Sequence, residues 1–595
     1  MYSNFTIEIP QVPGKIVLRK KNNTSYVYYE VAREYDPKRK FNIPKRVVIG
    51  KVADTDNKQM YPNEKFSQYF PNTPLPAERN ESERSCGLRI GSYAVFKKIV
   101  NEYHLDSILK KHLGERSGLL LDLASYMIVN ENNAGQYYPD YAFCHPLFTK
   151  GMKILSDSTV SRFFKGITQE QIIGILNDWN KNQDHKQCIY ISYDSSNKNC
   201  QAGDIDIAEF GKAKDDKNLP IFNLALAFDR NNKVPLFYEQ YPGSINDVSQ
   251  FKYLVSKIVE YKYKDIGFIL DRGYFSRDNI KCMDDNGYKF IIMTKGCKSL
   301  VSNLIMKMKG SFETERTCSI KGYRVYGTTL QHKLYDNDPK DRWFHIYFSP
   351  EKMAFERNCL ETKLDRMSAE LRKLEGREIE IPDNYRHYFD CHYANGKFIY
   401  AKERNDVISK ELLLCGYFSI ISSEKMTAQD AYILYKSRDA SEKLFRADKS
   451  FLGSKSMRVC SEKSLSAKIF IEFIALIIRN RMFNLLKTEM LKLDVRKNFL
   501  TVPAAIRELE KIEMVRRNNG DYKLDHAITK TQKTILESFG INEKDIQTEA
   551  TGISVSLREN LKTDVFSIDN EDASEEISDE QLEVEYYEDE ISSFY

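Results

Sequence analysis

Near residue 440 the chain reads YILYKSRDASEKLFRADK and carries Tyr435, Arg438, Glu442 and Lys449, at offsets 0, 3, 7 and 14. A helix turns about 100° per residue, so these four fall within about 60° of one another. One face of one helix would present a phenol, two cations and a carboxylate. A carboxylate can hold a metal ion and cations can hold phosphates, a combination suited to cutting a phosphodiester. Such a site needs two more carboxylates. Asp194 ends the strand-like run CIYISYD, and Asp271 ends IGFILD. Acids at the ends of adjacent strands converge on the rim of a sheet, and a packed helix can bring Glu442 to them. Mg²⁺ wants such hard oxygen ligands, and two ions about 4 Å apart can span one scissile phosphate. Gly273, two residues past Asp271, lets the chain turn close to the site. Taken singly, an Asp at a strand end more often caps a turn, and an exposed Arg, Lys or Tyr more often serves the surface. The combination carries the reading.

The elements that must position these residues follow from the hydrophobic period. Residues 185–296 read as three strands, a helix, a strand, a helix and a strand, the pattern of a mixed α/β domain. Residues 297–420 interrupt it with strand-like pieces such as YRVYGTTLQHKLY and RWFHIYFS around a charged helical run at 352–376. The α/β pattern resumes over 421–500 with the helix of the four-residue stripe, near 428–449, and a second helix near 465–488. Further helices are expected over 501–545, then a polar acidic tail over 546–595. Ahead of the α/β part, residues 1–54 read as a basic β-rich region built on a hairpin or small sheet. Residues 55–90, rich in Pro, Asn and Ser, read as a linker, and 91–184 as a helical region. Within it Asp157 or Ser158 is a plausible N-cap, and SDSTVSRFFKG could belong to a helix-turn-helix or to a plain bundle.

A chain of 595 residues exceeds one minimal core and suggests several domains. The net charge of +4 hides an asymmetry. From Asp569 onward there are twelve acids and no Lys or Arg, so the rest carries +16. From Lys15 to Lys51 there are eleven basic residues against three acids. A basic body with an acidic tail suits a nucleic-acid partner, though an ordinary enzyme with a solvating tail has the same composition. The most basic point is the turn holding Lys38, Arg39 and Lys40, with Lys45 and Arg46 on the next strand. These five are candidate contacts to a DNA backbone. Eleven scattered Cys without a CxxC pair argue against a disulfide framework and for a reducing compartment. No signal peptide is expected from MYSNFTIEIPQVPG. The apolar stretch 467–478 contains Lys468 and Glu472, is too short to span a bilayer and reads as a buried helix. No membrane association and a cytoplasmic location are therefore expected.

The stripe fits, without a gap, the Y-(2)-R-(3)-E-(6)-K signature of the IS4-like DDE transposases. More of the chain agrees. YDSSN around Asp194 resembles that family's first acidic block, with Ser196 where Thr is usual. AEFGKAKDDKNLPIFNLALAF and VPLFYEQYPGSINDVSQF, with Pro242, Gly243 and Asp247, resemble the approach to the second block. LDRGYFSRDNI and YKFIIMTKG match that block, and SLSAKIFIEFIALIIRNRM resembles the helix after the glutamate. The resemblance covers residues 185–540, and the N-terminal VYYEVAREYD and KRVVIGK look like the IS1634-type group.

The resemblance implies an RNase H-like catalytic core, in parts 185–296 and 421–500, interrupted by a largely β insertion domain at 297–420. It implies that residues 91–184 form a helical domain binding the DNA ends. It makes Asp194, Asp271 and Glu442 the catalytic metal ligands of two Mg²⁺ ions, with Mn²⁺ as a substitute. Tyr435, Arg438 and Lys449 become DNA contacts. The implied partners are double-stranded DNA, as terminal inverted repeats and as target, and a second copy of the chain on paired ends. The implied route is nick, hairpin, hairpin opening and joining of 3′-ends. Trp343 in the insertion could hold a flipped base, although a lone Trp beside Phe344 and Tyr347 is more often core.

Two rivals share these residues: a nuclease that cuts without joining, and a decayed or domesticated copy that only binds DNA. Cys391, His387 and His392 lie close in YRHYFDCHY, but no second cluster completes a zinc site. No GxxxxGK[ST] loop is present, so no ATP dependence is expected.

Overall fold

The computed structural model describes residues 6–563 except 22–23, 37–40, 54–57, 72, 74–83, 184–187, 201–204, 212–218, 246, 262, 264, 296–297, 460, 494–496 and 518–520. The chain divides into two compact units: residues 1–81 with 514–524 and 547–595, and residues 82–513 with 525–546.

In the first unit the alternating run TSYVYYEV drives strand formation. Five antiparallel strands lie in the order Ile7–Glu8, Gln59–Pro62, Phe41–Val52, Thr24–Asp36, Ile16–Lys21. Val27, Ile49, Met60 and Phe66 fill its core. The stretch expected to be linker thus contributes a strand and the helix Glu64–Tyr69. Asn63 caps that helix, its side chain accepting from the Lys65 amide and donating to the Val48 carbonyl. These short elements sit among polar residues, where no period shows. Lys38, Arg39, Lys40 and residues 564–595 of the expected acidic tail lie outside the described residues, whereas residues 546–563, also expected as tail, belong to the helix Glu543–Thr563.

The second unit is built on a ten-stranded mixed sheet. From one edge the order is Val234–Pro242, Ile221–Asp229, Ile189–Cys200, Ile266–Leu270, Lys289–Met293, Tyr417–Ser422, Asp341–Phe348, Val325–Lys333, Ser319–Ile320. Ser456–Met457 adds parallel to the end of Ile189–Cys200. Ile266–Leu270 runs parallel to both its neighbours, and every residue of IGFIL is buried, as a strand covered on both faces requires. The helices Asp247–Glu260 and Arg277–Asp285 complete the crossovers.

The interrupting segment differs from expectation. It is not a separate, largely β domain. Three of its strands and Tyr417–Ser422 extend the central sheet antiparallel from Lys289–Met293. Besides the helix Lys298–Met308, which precedes these strands, residues 349–416 leave the sheet, as the helix Pro350–Leu374, a hairpin of Phe389–Ala394 and Lys397–Glu403, and the helix Asn405–Leu414. The helices of residues 297–420 hold more residues than its strands. This lobe has its own core, where Leu360, Leu364, Met367 and Leu371 line one helix face against Ile381, Phe389, Phe398 and Ile408. The lobe departs after Phe348 and returns at Tyr417, and these two are register partners. Local pattern could not show that Lys289–Met293 pairs with a strand more than a hundred residues later.

The helical region 91–184 lies in the same compact unit as the sheet. Its longest helix, Ser117–Asn130, and the helix Asp157–Gly166 pack on Glu462–Lys492. That helix is buried on all sides from Ser464 to Met482 except at Arg481, the mark of a central core helix. The cap of Asp157–Gly166 is Ser156, not Asp157 or Ser158, because its side chain accepts from the Thr159 amide. Two residues then lead into Gln169–Lys181, whose Thr168 and Gln171 form a capping box. Among the described residues no helix is long and apolar enough to cross a membrane, and the nine described cysteines are unpaired.

Candidate active site

Asp194 does not end its strand. Ile189–Cys200 runs on for six residues past it, held by antiparallel pairing with Ile221–Asp229 through Asn199. What ends near Asp194 is the parallel pairing. Tyr193 opposes Leu270 as the last register pair with Ile266–Leu270. Asp194, still inside its strand, and Asp271, just past the end of its own, are each the next residue, so they lie side by side, about 4.8 Å apart in the backbone. The Asp194 carboxylate accepts from the Ser195 amide at 2.9 Å. Asp271 opens the short turn Arg272–Tyr274 in extended conformation.

The stripe is not on one helix. Ala428–Lys436 ends, and Asp439–Phe451 begins after Ser437 and Arg438. The ladder tightens there to three-residue bonds: Arg438 N–H donates to Tyr435 O, Ala440 to Ser437 O and Ser441 to Arg438 O. The Ser437 hydroxyl also donates back to the Leu434 carbonyl. Such back-bonding competes with the regular ladder and bends helices. The break leaves Tyr435 in the last turn of one helix and Glu442 in the first turn of the next, where a helix dipole favours negative charge.

Even so, the break keeps the residues together. The Tyr435 hydroxyl donates to Asp271 Oδ1 at 3.4 Å. The Arg438 guanidinium reaches Glu442 at 2.7 Å, Asp194 at 3.4 Å and Asp271 at 3.8 Å. The exposure of the acidic side chains rises from Asp194 at 18 % through Asp271 at 35 % to Glu442 at 50 %, so Glu442 is the freest to move. Burial works against the Arg438 charge, but Tyr435, Asp271, Asp194 and Glu442 outweigh it and hold the guanidinium above its usual pKa. Burial raises the Tyr435 phenol well above its usual value; Arg438 opposes this and Asp271 adds to it, so Tyr435 is a proton donor at neutral pH. Lys449 lies two turns past Glu442, about 10 Å along the same helix.

The donors fit a hard divalent cation: three carboxylates, two fixed by strand register and one on a half-exposed side chain. Among the described residues no three acidic, His or Cys side chains are drawn into a finished metal cage. Here the Arg438 guanidinium lies among the three acids.

Other candidates fare differently. Lys45 pairs with Glu34 and Arg46 with the buried Glu30, both within the first unit, so each already has an acidic partner. Trp343 opposes Gln331 and Ser422 within the sheet, with two strands between its own and that of Asp271, and Lys425 lies 5.6 Å over its ring. The would-be zinc trio is dispersed: His387 contacts Glu411, the Cys391 thiol faces the Phe389 carbonyl, and His392 stacks on Tyr400.

Sequence reasoning missed a buried ion cluster beneath the site. Lys198 is fully buried, 2.8 Å from both Asp448 and Glu472. The signal was in plain view. Glu472 and Lys468 are charges inside the apolar run 467–478, and a charge in such a setting must be paired.

Residues 195–478 match the family described as the transposase DDE domain. The match starts one residue past Asp194 and contains Asp271, Tyr435, Arg438, Glu442 and Lys449. It supports a DDE transposase family. No curated protein matches the chain. A solved structure, described as a cryo-EM structure of the piggyBac transposase synaptic complex with hairpin DNA, aligns with 87 % of this chain and 84 % of its own, at 9 % identity and a TM-score of 0.30. That likeness is too loose to carry an argument.

Proposed function

We propose that the chain is a DDE transposase of an insertion sequence, cleaving DNA at terminal inverted repeats and joining the ends to target DNA. One observation carries this reading. Asp194 and Asp271 lie side by side, one residue past the last register pair of adjacent parallel strands, and Arg438 draws Glu442 to them, in a segment matched almost throughout by the transposase DDE domain. The core strands in the order third, second, first, fourth, fifth support an RNase H-like core. The unbroken signature spacing supports the IS4-like superfamily and, with the N-terminal strands, its IS1634-type group.

Asp194, Asp271 and Glu442 would hold the divalent ions, Mg²⁺ with Mn²⁺ as substitute. Bound there, the ions would activate water or a 3′-hydroxyl and stabilise the leaving oxygen. Arg438 and Lys449 would neutralise phosphates beside the cut. As phosphate takes Arg438, the guanidinium releases the carboxylates it pairs with. Tyr435, kept protonated by burial, would hold Asp271 and face the DNA end. The helical region 91–184 would grip the end sequence, and two copies would pair two ends. A hairpin intermediate is the expected route, in the cytoplasm of a prokaryotic cell.

The test is purified protein with Mg²⁺ and labelled DNA bearing the element's own end beside flanking sequence, with Glu442→Ala in parallel. Cleavage at the end by wild type alone, with hairpin or joined products, is the expected result. Cleavage without joining would make the protein a nuclease. Binding without cleavage, in Mn²⁺ as in Mg²⁺, would leave a DNA-binding protein.

A further inference from the structure

The face of the Asp194 strand that meets the Glu442 helix carries Ser192, Asp194, Ser196 and Lys198, since alternate residues share a face. The helix Asp439–Phe451 is pinned to this face at two points. Near its start the Ser441 hydroxyl lies 2.8 Å from the Ser192 hydroxyl, both fully buried. Near its end Asp448 meets Lys198 Nζ at 2.8 Å, both side chains at 0 % exposure. Ser441 and Asp448 are two turns apart and therefore on one helix face. Asp194 on the strand lies between Ser192 and Lys198, and Glu442 on the helix lies between Ser441 and Asp448.

Lys198 also ties in two further segments. Its ammonium lies 2.8 Å from Glu472 Oε2 on the central helix, and Glu472 Oε1 accepts from the Asn133 amide of the helical region at 3.3 Å. Lys468, one turn before Glu472, balances the cluster's charge and donates to the Arg458 carbonyl. Burial pushes Lys468 down to about 8. A buried ion cluster of this kind is poor at stabilising a fold. Desolvation consumes most of the attraction, and well-packed neutral side chains of the same shape do as well or better. What it supplies is one defined geometry.

We propose that Lys198 is a positioning residue: with the Ser192–Ser441 contact it fixes where the Glu442 helix sits along the Asp194 strand, and so sets the spacing of the metal-holding carboxylates. This rests on the function proposed above. Lys198 touches none of the reacting groups. It acts through Asp448 and through the strand it shares with Asp194.

The test replaces the whole cluster with neutral side chains of similar shape, Lys198→Met and Lys468→Met with Asp448→Asn and Glu472→Gln, in the full chain. The quadruple variant should melt at or near the wild-type temperature and bind end DNA with unchanged affinity. Amide exchange over residues 439–451 should quicken about tenfold or more. Mn²⁺, followed by the paramagnetic signal of the free ion without DNA, should bind about tenfold more weakly or worse, the size of effect expected of groups that orient metal ligands. The Mg²⁺ concentration for half-maximal cleavage should rise in step. A lower melting temperature with unchanged Mn²⁺ affinity would reduce Lys198 to a structural ion pair and overturn the proposal. Should the quadruple variant fail to fold, Ser192→Ala with Ser441→Ala removes the other pin at little cost to the core. It should weaken Mn²⁺ binding in the same sense, and unchanged affinity would again overturn the proposal. If wild type binds Mn²⁺ and the variants lose it, yet wild type never cuts the end, the transposase reading falls while the positioning role stands.

Discussion

Asp194 and Asp271 each stand one residue beyond the same register pair of neighbouring parallel strands, Tyr193 with Leu270. Their separation is therefore set by the hydrogen-bond ladder and not by loop conformation. Glu442 arrives from another element and is the most exposed of the three. The site joins two fixed carboxylates to one that can move.

Asp194→Asn, Asp271→Asn and Glu442→Gln should each lower end cleavage about 10³-fold or more, as expected when one ligand of a phosphoryl-transfer metal site is lost. End-DNA affinity should stay within a few-fold of wild type. Gel-shift and cleavage assays on the same preparations separate the two effects. A variant retaining a tenth of wild-type cleavage would remove that residue from the metal-holding set.

Arg438→Ala removes the cation that three carboxylates share. Without divalent ions the variant should lose about 1–3 kcal/mol of stability, because the acids are left without their common partner. Added Mg²⁺ should recover more stability for the variant than for wild type. Thermal melts with and without Mg²⁺ test this directly. The salt dependence of DNA binding should also flatten by about one phosphate contact.

His345 lies buried in the sheet between the Thr329 and Ser422 hydroxyls, and burial depresses its pKa from 6.5 to about 4. Below pH 6.5 the unfolded chain binds a proton that the folded chain refuses until about pH 4. The unfolded state thus holds more protons across this window, and stability falls as pH drops through it. Wild type should lose about 2 kcal/mol more than His345→Gln between pH 7 and pH 5, measured by denaturant titration at each pH.

Trp343 is three strand steps from the Asp271 strand, about 14 Å across the sheet. Trp343→Ala should cost about 1–3 kcal/mol of stability through lost packing and the lost Lys425 contact. Cleavage per folded molecule should be unchanged. A variant that folds fully yet fails to process DNA ends would return Trp343 to the role its place in the chain first suggested.

The three carboxylates were legible because each follows or sits in a strongly periodic segment, and because Tyr435, Arg438, Glu442 and Lys449 keep helical spacing. The break at Ser437 was not. No Gly or Pro marks it, and a serine hydroxyl donating back to Leu434 leaves no trace in the hydrophobic pattern. Asp194 looked like a strand end because polar residues follow it. In fact Ser195 to Asn199 remain in the strand and are buried, with Ser196 and Lys198 on the face that meets the Glu442 helix. The sheet extension was hidden for a different reason. Partnership between Lys289–Met293 and Tyr417–Ser422 is a long-range fact that local propensity does not encode. Lys468 and Glu472 were noticed inside an apolar run, but their partners Lys198 and Asp448 lie in other segments and only the fold brings them together.

Phe348 and Tyr417 form one rung of the antiparallel ladder, and everything between them hangs outside the sheet on its own core. Two chain ends that already face each other across a rung can be closed by a short turn. The lobe is in this sense a detachable module. A lineage could gain it, enlarge it or lose it in a single event without disturbing a strand, and a protein engineer could graft a foreign domain at the same rung.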